Sequence, residues 1–148
     1  MGLGITVNVK KLRHNAALPN YETDGASGMD VCACLETPVT AASGAIVTIP
    51  TGLAFEIPRG YEMQVRPRSG LARKHGITVI NSPGTIDSDY RGELAIVLIN
   101  LSGEAFTIHN GDRIAQLVFA PVVYATVIES RQLSETNRGS GGFGSTGL

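Results

Sequence analysis

The chain has 148 residues, with 12 basic and 13 acidic side chains and a formal net charge of −1. This balance gives no electrostatic footprint for duplex DNA, RNA or an anionic membrane. Apolar residues make up 43% and charged residues 17%, and a chain of this size buries enough surface for one globular domain. We therefore expect a cytoplasmic protein that binds neither nucleic acid nor membrane, with Cys32 and Cys34 as buried, reduced thiols.

Apolar and polar side chains alternate along most of the chain, as in half-buried strands. The clearest example is Tyr61, Met63 and Val65, which are separated by polar residues. Strands are predicted at residues 5–9, 29–35, 45–49, 53–57, 61–66, 76–80, 93–99, 105–108, 113–119 and 122–128, with turn residues between them. The uninterrupted apolar run 94–99 predicts a strand that is buried on both faces.

Only residues 70–75 favour a helix, of little more than one turn. Many short strands at regular spacing predict an all-β fold, a jelly-roll-like barrel or sandwich. Residues 1–137 would form this domain. Residues 138–148 are rich in glycine and cannot bury a core, so they predict a flexible C-terminal arm.

Four short stretches of the β domain carry candidate chemistry. Asp30 lies in an apolar strand, where an unpaired charge is costly, so it requires a cation or hydrogen-bond donors. Arg68 and Ser69 precede the helix and could be a solvated charge and an N-cap, or an anion site. Residues 81–92 form a hairpin loop or a nucleoside pocket, and Gln116 is an amide within an apolar strand.

The arm has two interpretations, one as an unstructured terminus and one as part of a binding site. A glycine-rich terminus is usually a floppy tail. Here Arg138, hydroxyl groups and free N–H groups could wrap a polyphosphate, and Phe143 could stack on a ring.

The order of these stretches resembles the five motifs of the homotrimeric dUTP pyrophosphatases (dUTPases). The matching segments are residues 26–30 (ASGMD), 67–72 (PRSGLA), 81–93 (NSPGTIDSDYRGE), 111–116 (GDRIAQ) and 138–147 (RGSGGFGSTG). Two positions of the first segment depart from the family pattern: Met29 stands where an aromatic residue is common, and Val31 where leucine is usual.

The resemblance implies a jelly-roll-like fold and a homotrimer whose active sites are shared between subunits. It also implies that dUTP is hydrolysed to dUMP and pyrophosphate, which removes dUTP from the nucleotide pool and supplies dUMP for thymidylate synthesis. The implied cofactor is Mg²⁺, held mainly by the triphosphate and water, with no direct ligand from the protein.

The resemblance also implies roles for individual residues. Asp87 matches the aspartate that orients and deprotonates the attacking water, and Asp30 supports the site. Tyr90 packs on the deoxyribose and leaves no room for a 2′-hydroxyl. Asn81 and Gly84 read the uracil, and Phe143 of the arm completes the nucleoside site. The implied phosphate ligands are Arg68, Ser69, Gly70, Gln116, Arg138, Gly144, Ser145 and Thr146.

Two alternatives remain open at this point. A dCTP deaminase of the same fold would need a catalytic glutamate in the base pocket and would release ammonia rather than pyrophosphate. A non-catalytic jelly-roll binding module would have no need for Asp87, Ser69 and Gln116 together with the arm.

Overall fold

The computed structural model describes residues 4–143. In that range the elements are β1 (Asn8–Lys11), β2 (Met29–Cys32), β3 (Val39–Ala41), β4 (Ile46–Glu56), β5 (Tyr61–Arg66), α1 (Ser69–His75), β6 (Ile77–Val79), β7 (Gly84–Ile86), β8 (Glu93–Asn100), β9 (Phe106–Ile108) and β10 (Arg113–Pro121). No helix within it is long and apolar enough to cross a membrane.

The strands form two four-stranded sheets and a two-stranded ribbon. The first sheet has the order β1-β4-β8-β6, the second β2-β10-β5-β7, and β3 pairs with β9. Every pair is antiparallel. The all-β prediction is confirmed, as an open sandwich rather than a closed barrel.

One hydrophobic core lies between the two sheets. Ile49 and Leu98 from the first sheet and Met63 and Leu117 from the second are almost fully buried within it. The core follows from the predicted alternation, because every second side chain of an antiparallel strand points to the same face.

Asn100 is a buried polar residue that connects the first sheet to the ribbon. Its Nδ2 donates to the Ala41 carbonyl oxygen at 2.9 Å and to the Glu104 carbonyl oxygen at 2.7 Å. Its Oδ1 accepts from the Ser102 N–H at 2.9 Å. The amide is therefore satisfied at both ends, which offsets the cost of its burial.

Several predicted strand boundaries were wrong. The first strand begins at Asn8 rather than at residue 5, and β3 and β7 were not predicted. The segments 45–49 and 53–57 belong to one strand, β4, whose pairing with β8 is irregular between Pro50 and Ala54. The turn-forming residues 50–52 thus make a bulge inside a strand instead of ending it.

The prediction that residues 94–99 are buried on both faces was also wrong. Leu94, Ile96 and Leu98 are buried, whereas Ala95 is exposed and Val97 is only half-buried. The sheet is antiparallel and has the core on one side only, so the other face of β8 points outward although its residues are apolar.

No strand forms at residues 122–128. In the described chain this segment has no regular secondary structure; the Val122 N–H donates to the Gly60 carbonyl oxygen at 2.9 Å. Val123, Tyr124, Val127 and Ile128 are largely exposed. Alternation predicted a strand with an apolar face, but this chain supplies neither a neighbouring strand nor a core for that face.

The predicted helix is confirmed as α1. Arg68 is its N-cap residue and makes no side-chain cap bond, so Ser69 is the first helical residue and not the cap. At the other end, Gly76 adopts a left-handed conformation (φ 66°) and its N–H donates to the Leu71 and Ala72 carbonyl oxygens. This is the usual helix stop at glycine.

Gly52 provides a test of core packing. Its φ is +69°, and a Cβ atom there would lie 2.8 Å from Ala16 Cβ and 2.9 Å from Cys34 Sγ. Gly44 has a similar φ of +75° but faces open space. We expect Gly44→Ala to lower the free energy of unfolding by about 1 kcal/mol through backbone strain alone. Gly52→Ala should cost about 1–3 kcal/mol more because of the overlap.

Chemical denaturation of the two variants measures this difference. If both variants lose the same free energy of unfolding, Ala16 and Cys34 move aside at no energetic cost and the prediction is wrong.

Candidate active site

A polar cleft of about 330 Å³ lies where β2, β10 and the start of α1 meet. We call it the arginine cleft. Its lining residues are Glu22, Ala26, Gly28, Asp30, Arg68, Ser69, Gly70, Arg113 and Gln116. The fold therefore brings together all the phosphate ligands that the resemblance implied within the β domain, together with Asp30.

Asp30 is the centre of this cleft. Its Oδ1 accepts from Arg68 Nε at 3.0 Å and its Oδ2 accepts from Arg113 Nη1 at 3.2 Å, while its side chain is only 15% exposed. The expectation that Asp30 needs a cation or hydrogen-bond donors is confirmed, and both partners are arginines. Arg68 Nη1 also donates to the Arg113 carbonyl oxygen at 3.0 Å, so two hydrogen bonds fix the Arg68 guanidinium at the cleft.

The structure adds Arg113 and Glu22 to the predicted residues. Arg113 Nη1 lies 3.0 Å from Glu22 Oε2 as well as contacting Asp30. Asp112, next to Arg113 in the sequence, has another partner, since its Oδ2 accepts from the His109 N–H at 2.7 Å. Arg113 stood inside a recognised motif and could have been singled out. Nothing in the sequence indicated a role for Glu22, because only the folding of the chain brings it to the cleft.

Gln116 is held by two features of the surrounding backbone. Its Nε2 donates to the Pro67 carbonyl oxygen at 3.0 Å. A Cβ atom at Gly28 would overlap Gln116 Oε1 and lie 3.2 Å from Val118 Cγ2. The amide is half-buried, and glycine at position 28 leaves the space that it fills.

A shallower groove of about 500 Å³ runs on from the arginine cleft. Ser69 and Gln116 line both, and the groove adds Ser82 and Pro83 from the segment between β6 and β7. Two of the matched motif segments, residues 67–72 and 81–93, thus border one continuous surface. Ser69 is exposed on it, at the first position of α1.

Residues 81–92, the candidate nucleoside pocket, include β7, which pairs with β5. Gly84 is buried opposite Val65, and a Cβ atom there would lie 3.0 Å from Asn81 Nδ2. Asp87 is exposed directly after the strand, and its carbonyl oxygen accepts from the Tyr90 N–H at 3.2 Å. The turn therefore fixes the main chain of Asp87 relative to that of Tyr90.

The remaining predicted residues are not assembled with the arginine cleft. Among the residues that the structure describes, the lining of the cleft includes none of Asn81, Gly84, Asp87 and Tyr90. Arg138 Nε donates to the Gly141 carbonyl oxygen at 2.8 Å within the arm, and Phe143 is fully exposed. The other predicted arm ligands lie outside the described residues: Gly144, Ser145 and Thr146.

Of the two cysteines, Cys34 is buried and Cys32 is half-buried. The charges that act on Cys32 include those of Asp30 and its arginine partners. The prediction of buried thiols is therefore right for Cys34 only. Burial raises the pKa of the Cys32 thiol, with Arg113 acting in the opposite direction. Cys32 therefore stays protonated at neutral pH and adds no charge to the cleft.

The comparisons with known proteins agree with this geometry. The sequence pattern of the dUTPase family matches residues 14–147. The chain is 63% identical over 132 residues to the deoxyuridine 5'-triphosphate nucleotidohydrolase of Desulfotalea psychrophila, covering 89% of this chain and 88% of the relative. A structure of the Staphylococcus bacteriophage 80alpha dUTPase with dUPNHPP has a TM-score of 0.88 at 27% identity, covering 97% and 99% of the two chains.

A mutant dUTPase of the Staphylococcus aureus phage phi11, studied for the coordination of a structural Mg(II) ion, has a TM-score of 0.78 at 25% identity, covering 86% and 98%. The predicted jelly-roll fold is thereby confirmed. The fold and the family match together define an all-β hydrolase of nucleotides. The chain belongs to the dUTPase family.

The Asp30 charge cluster can be tested by its contribution to stability. Asp30→Asn keeps the shape of the side chain but removes its charge, leaving Arg68 and Arg113 without their shared partner. We expect a loss of about 2 kcal/mol in the free energy of unfolding, typical of hydrogen bonds to charged groups. Glu22→Gln is the control, because its exposed ion pair with Arg113 contributes less than about 1 kcal/mol.

Denaturation in urea gives both values. A loss for Asp30→Asn no greater than for Glu22→Gln would mean that the partly buried pairs contribute no more than a surface pair.

Proposed function

We propose that the arginine cleft binds the triphosphate of dUTP and that the chain hydrolyses dUTP to dUMP and pyrophosphate. The observation that carries the proposal is the convergence of Arg68, Ser69, Gly70 and Gln116 on one cleft in a member of the dUTPase family. The guanidinium groups of Arg68 and of the neighbouring Arg113, the Ser69 hydroxyl and the Gln116 amide supply hydrogen-bond donors for phosphate oxygens. The reaction removes dUTP from the nucleotide pool and supplies dUMP for thymidylate synthesis.

Asp87 is the residue that acts on the attacking water. Hydrolysis at the α-phosphorus needs a water aligned opposite the leaving pyrophosphate and a carboxylate that orients it and accepts its proton. Asp87 is exposed and, within residues 4–143, forms no salt bridge. Its carboxylate is therefore available as a base.

The nucleoside is held by the segment that follows β6. Asn81 and Gly84 read the uracil through the backbone around β7, and the Tyr90 ring packs on the deoxyribose, where a 2′-hydroxyl would clash. Phe143 of the arm stacks on the base, and the other arm ligands (Arg138, Gly144, Ser145 and Thr146) close over the phosphates. Asp30 makes no contact with the substrate in this scheme; it positions Arg68.

Mg²⁺ fits this site as an ion carried by the substrate. Within the described residues no three His, Cys, Asp or Glu side chains are grouped closely enough to hold a metal ion, and the carboxylates of the cleft, Asp30 and Glu22, already pair with arginines. Phosphate oxygens and water would be the main ligands, and the bound ion would neutralise charge on the leaving group.

A homotrimer with shared sites accounts for three features of the single chain. The segment 122–128 exposes apolar side chains, the outer face of β4 and β8 carries Ile46, Val97 and Ile99, and Asp87 lies apart from the lining of the arginine cleft. Exposed apolar surface of this kind favours contact with further copies. In this arrangement residues 1–137 form the cytoplasmic trimer and the arm 138–148 reaches a neighbouring site.

Product analysis tests the reaction itself. dUTP, dTTP, dCTP and UTP are incubated with the protein, with and without Mg²⁺, and pyrophosphate and ammonia are measured. Pyrophosphate released from dUTP in preference to the other three is the expected result. Ammonia from dCTP would assign the chain to the deaminases, and no turnover of any nucleotide would leave only a binding module.

Asp87→Asn tests the catalytic base. The amide keeps the shape of the carboxylate but cannot accept the proton of the water, so turnover should be nearly abolished while binding of a non-hydrolysable dUTP analogue is retained. Asp24→Asn makes the same chemical change on an exposed loop and should keep full activity. Turnover above about a tenth of the wild-type rate would exclude Asp87 as the base, since general-base catalysis contributes at least ~100-fold.

A mixing experiment tests the shared site. A chain lacking 138–148 and a full-length Asp87→Asn chain should each be nearly inactive for different reasons. After subunit exchange at 1:1, about a quarter of the sites combine an intact Asp87 with an intact arm if the two come from different subunits of a closed ring. Activity should recover towards that fraction. Exchange proven by mass spectrometry with activity at the parental level would place arm and Asp87 in the same subunit.

A further inference from the structure

We propose that Gly92 is a specificity-determining position. Because glycine has no side chain, the Tyr90 ring can lie over position 92, and in that position the ring excludes a ribose. The inference rests on the proposed role of Tyr90. Gly92 itself contacts no substrate in this scheme; it acts through Tyr90 and is a positioning residue.

The Tyr90 ring folds back over the main chain of Gly92. A Cβ atom at position 92 would overlap Tyr90 Oη and would lie 2.6 Å from its Cζ and 2.9 Å from its Cε2. These distances are far shorter than a carbon–carbon contact of about 3.5–4.0 Å. Because the phenol ring is rigid, it can yield to such an atom only by moving as a whole.

The other contacts of Tyr90 define the position from which the ring would be displaced. Its Oη donates to the Glu93 carbonyl oxygen at 3.0 Å, and its N–H donates to the Asp87 carbonyl oxygen at 3.2 Å. Glu93 is in turn fixed to the first sheet, since its Oε1 accepts from the Gly52 N–H at 2.9 Å. The ring is thus held at both ends, and it occupies the space above Gly92 between them.

The backbone conformation does not require glycine at position 92. Gly92 is not among the residues with positive φ, in contrast to Gly44, Gly52 and Gly76. Its conformation is therefore open to alanine, and the conflict of an added methyl group is with the Tyr90 ring. The Tyr90 ring, and not a turn that needs positive φ, therefore requires glycine at position 92. Removing the ring should remove that requirement.

The experiment measures kcat/KM for dUTP and for UTP in Gly92→Ala, Tyr90→Ala and the double variant. Gly92→Ala should lower the preference for dUTP over UTP by about tenfold, towards the value for Tyr90→Ala, because the displaced ring no longer fills the 2′ position. In the Tyr90→Ala background, Gly92→Ala should change neither this preference nor the melting temperature. Gly103→Ala is the control, since a Cβ atom there meets open space.

The outcomes separate this inference from the proposed function. A preference within twofold of the wild type in Gly92→Ala, together with a reduced preference in Tyr90→Ala, overturns the role of Gly92 and leaves that of Tyr90 intact. A further loss of preference on adding Gly92→Ala to Tyr90→Ala also overturns it, since Gly92 would then act by another route. An unchanged preference in Tyr90→Ala overturns the proposed role of Tyr90 itself.

Discussion

The ion pairs of Asp30 are the interaction on which the site depends. A carboxylate on β2 with little exposure is tolerated only because Arg68 and Arg113 both reach it. Those two arginines come from distant parts of the sequence, one preceding α1 and the other opening β10. Satisfying one partly buried charge therefore also fixes two cations at the polar cleft, where an anionic substrate can approach.

Close approaches at glycine set the side chains around that cation pair. Gly28 leaves space for the amide of Gln116, and Gly92 leaves space for the ring of Tyr90. At both positions the space is taken by a side chain with a proposed role in substrate binding. Small residues next to functional ones thus determine where the functional groups lie, because an added methyl group would have to displace them.

In the proposed trimer, each active site needs residues from more than one copy of the chain. The core of the single chain is closed between two sheets, yet apolar side chains remain outside on the segment 122–128 and on the outer face of β8. The lining of the arginine cleft likewise includes the proposed phosphate ligands of the β domain but not Asp87, the proposed base. Both observations have the same physical explanation in the proposed trimer, where neighbouring copies cover the exposed surface and supply the missing groups.

The sequence by itself determined the all-β class, the helix α1, the requirement of Asp30 for a cation or hydrogen-bond donors and the motifs of the family. These depend on alternation, residue chemistry and order along the chain. Only the tertiary structure decided that Glu22 pairs with Arg113, that residues 84–86 form a strand and that residues 122–128 do not. Each of these depends on which distant segment lies alongside. Alternation specifies the two faces of a strand but not its neighbours, and those are set by packing of the whole fold.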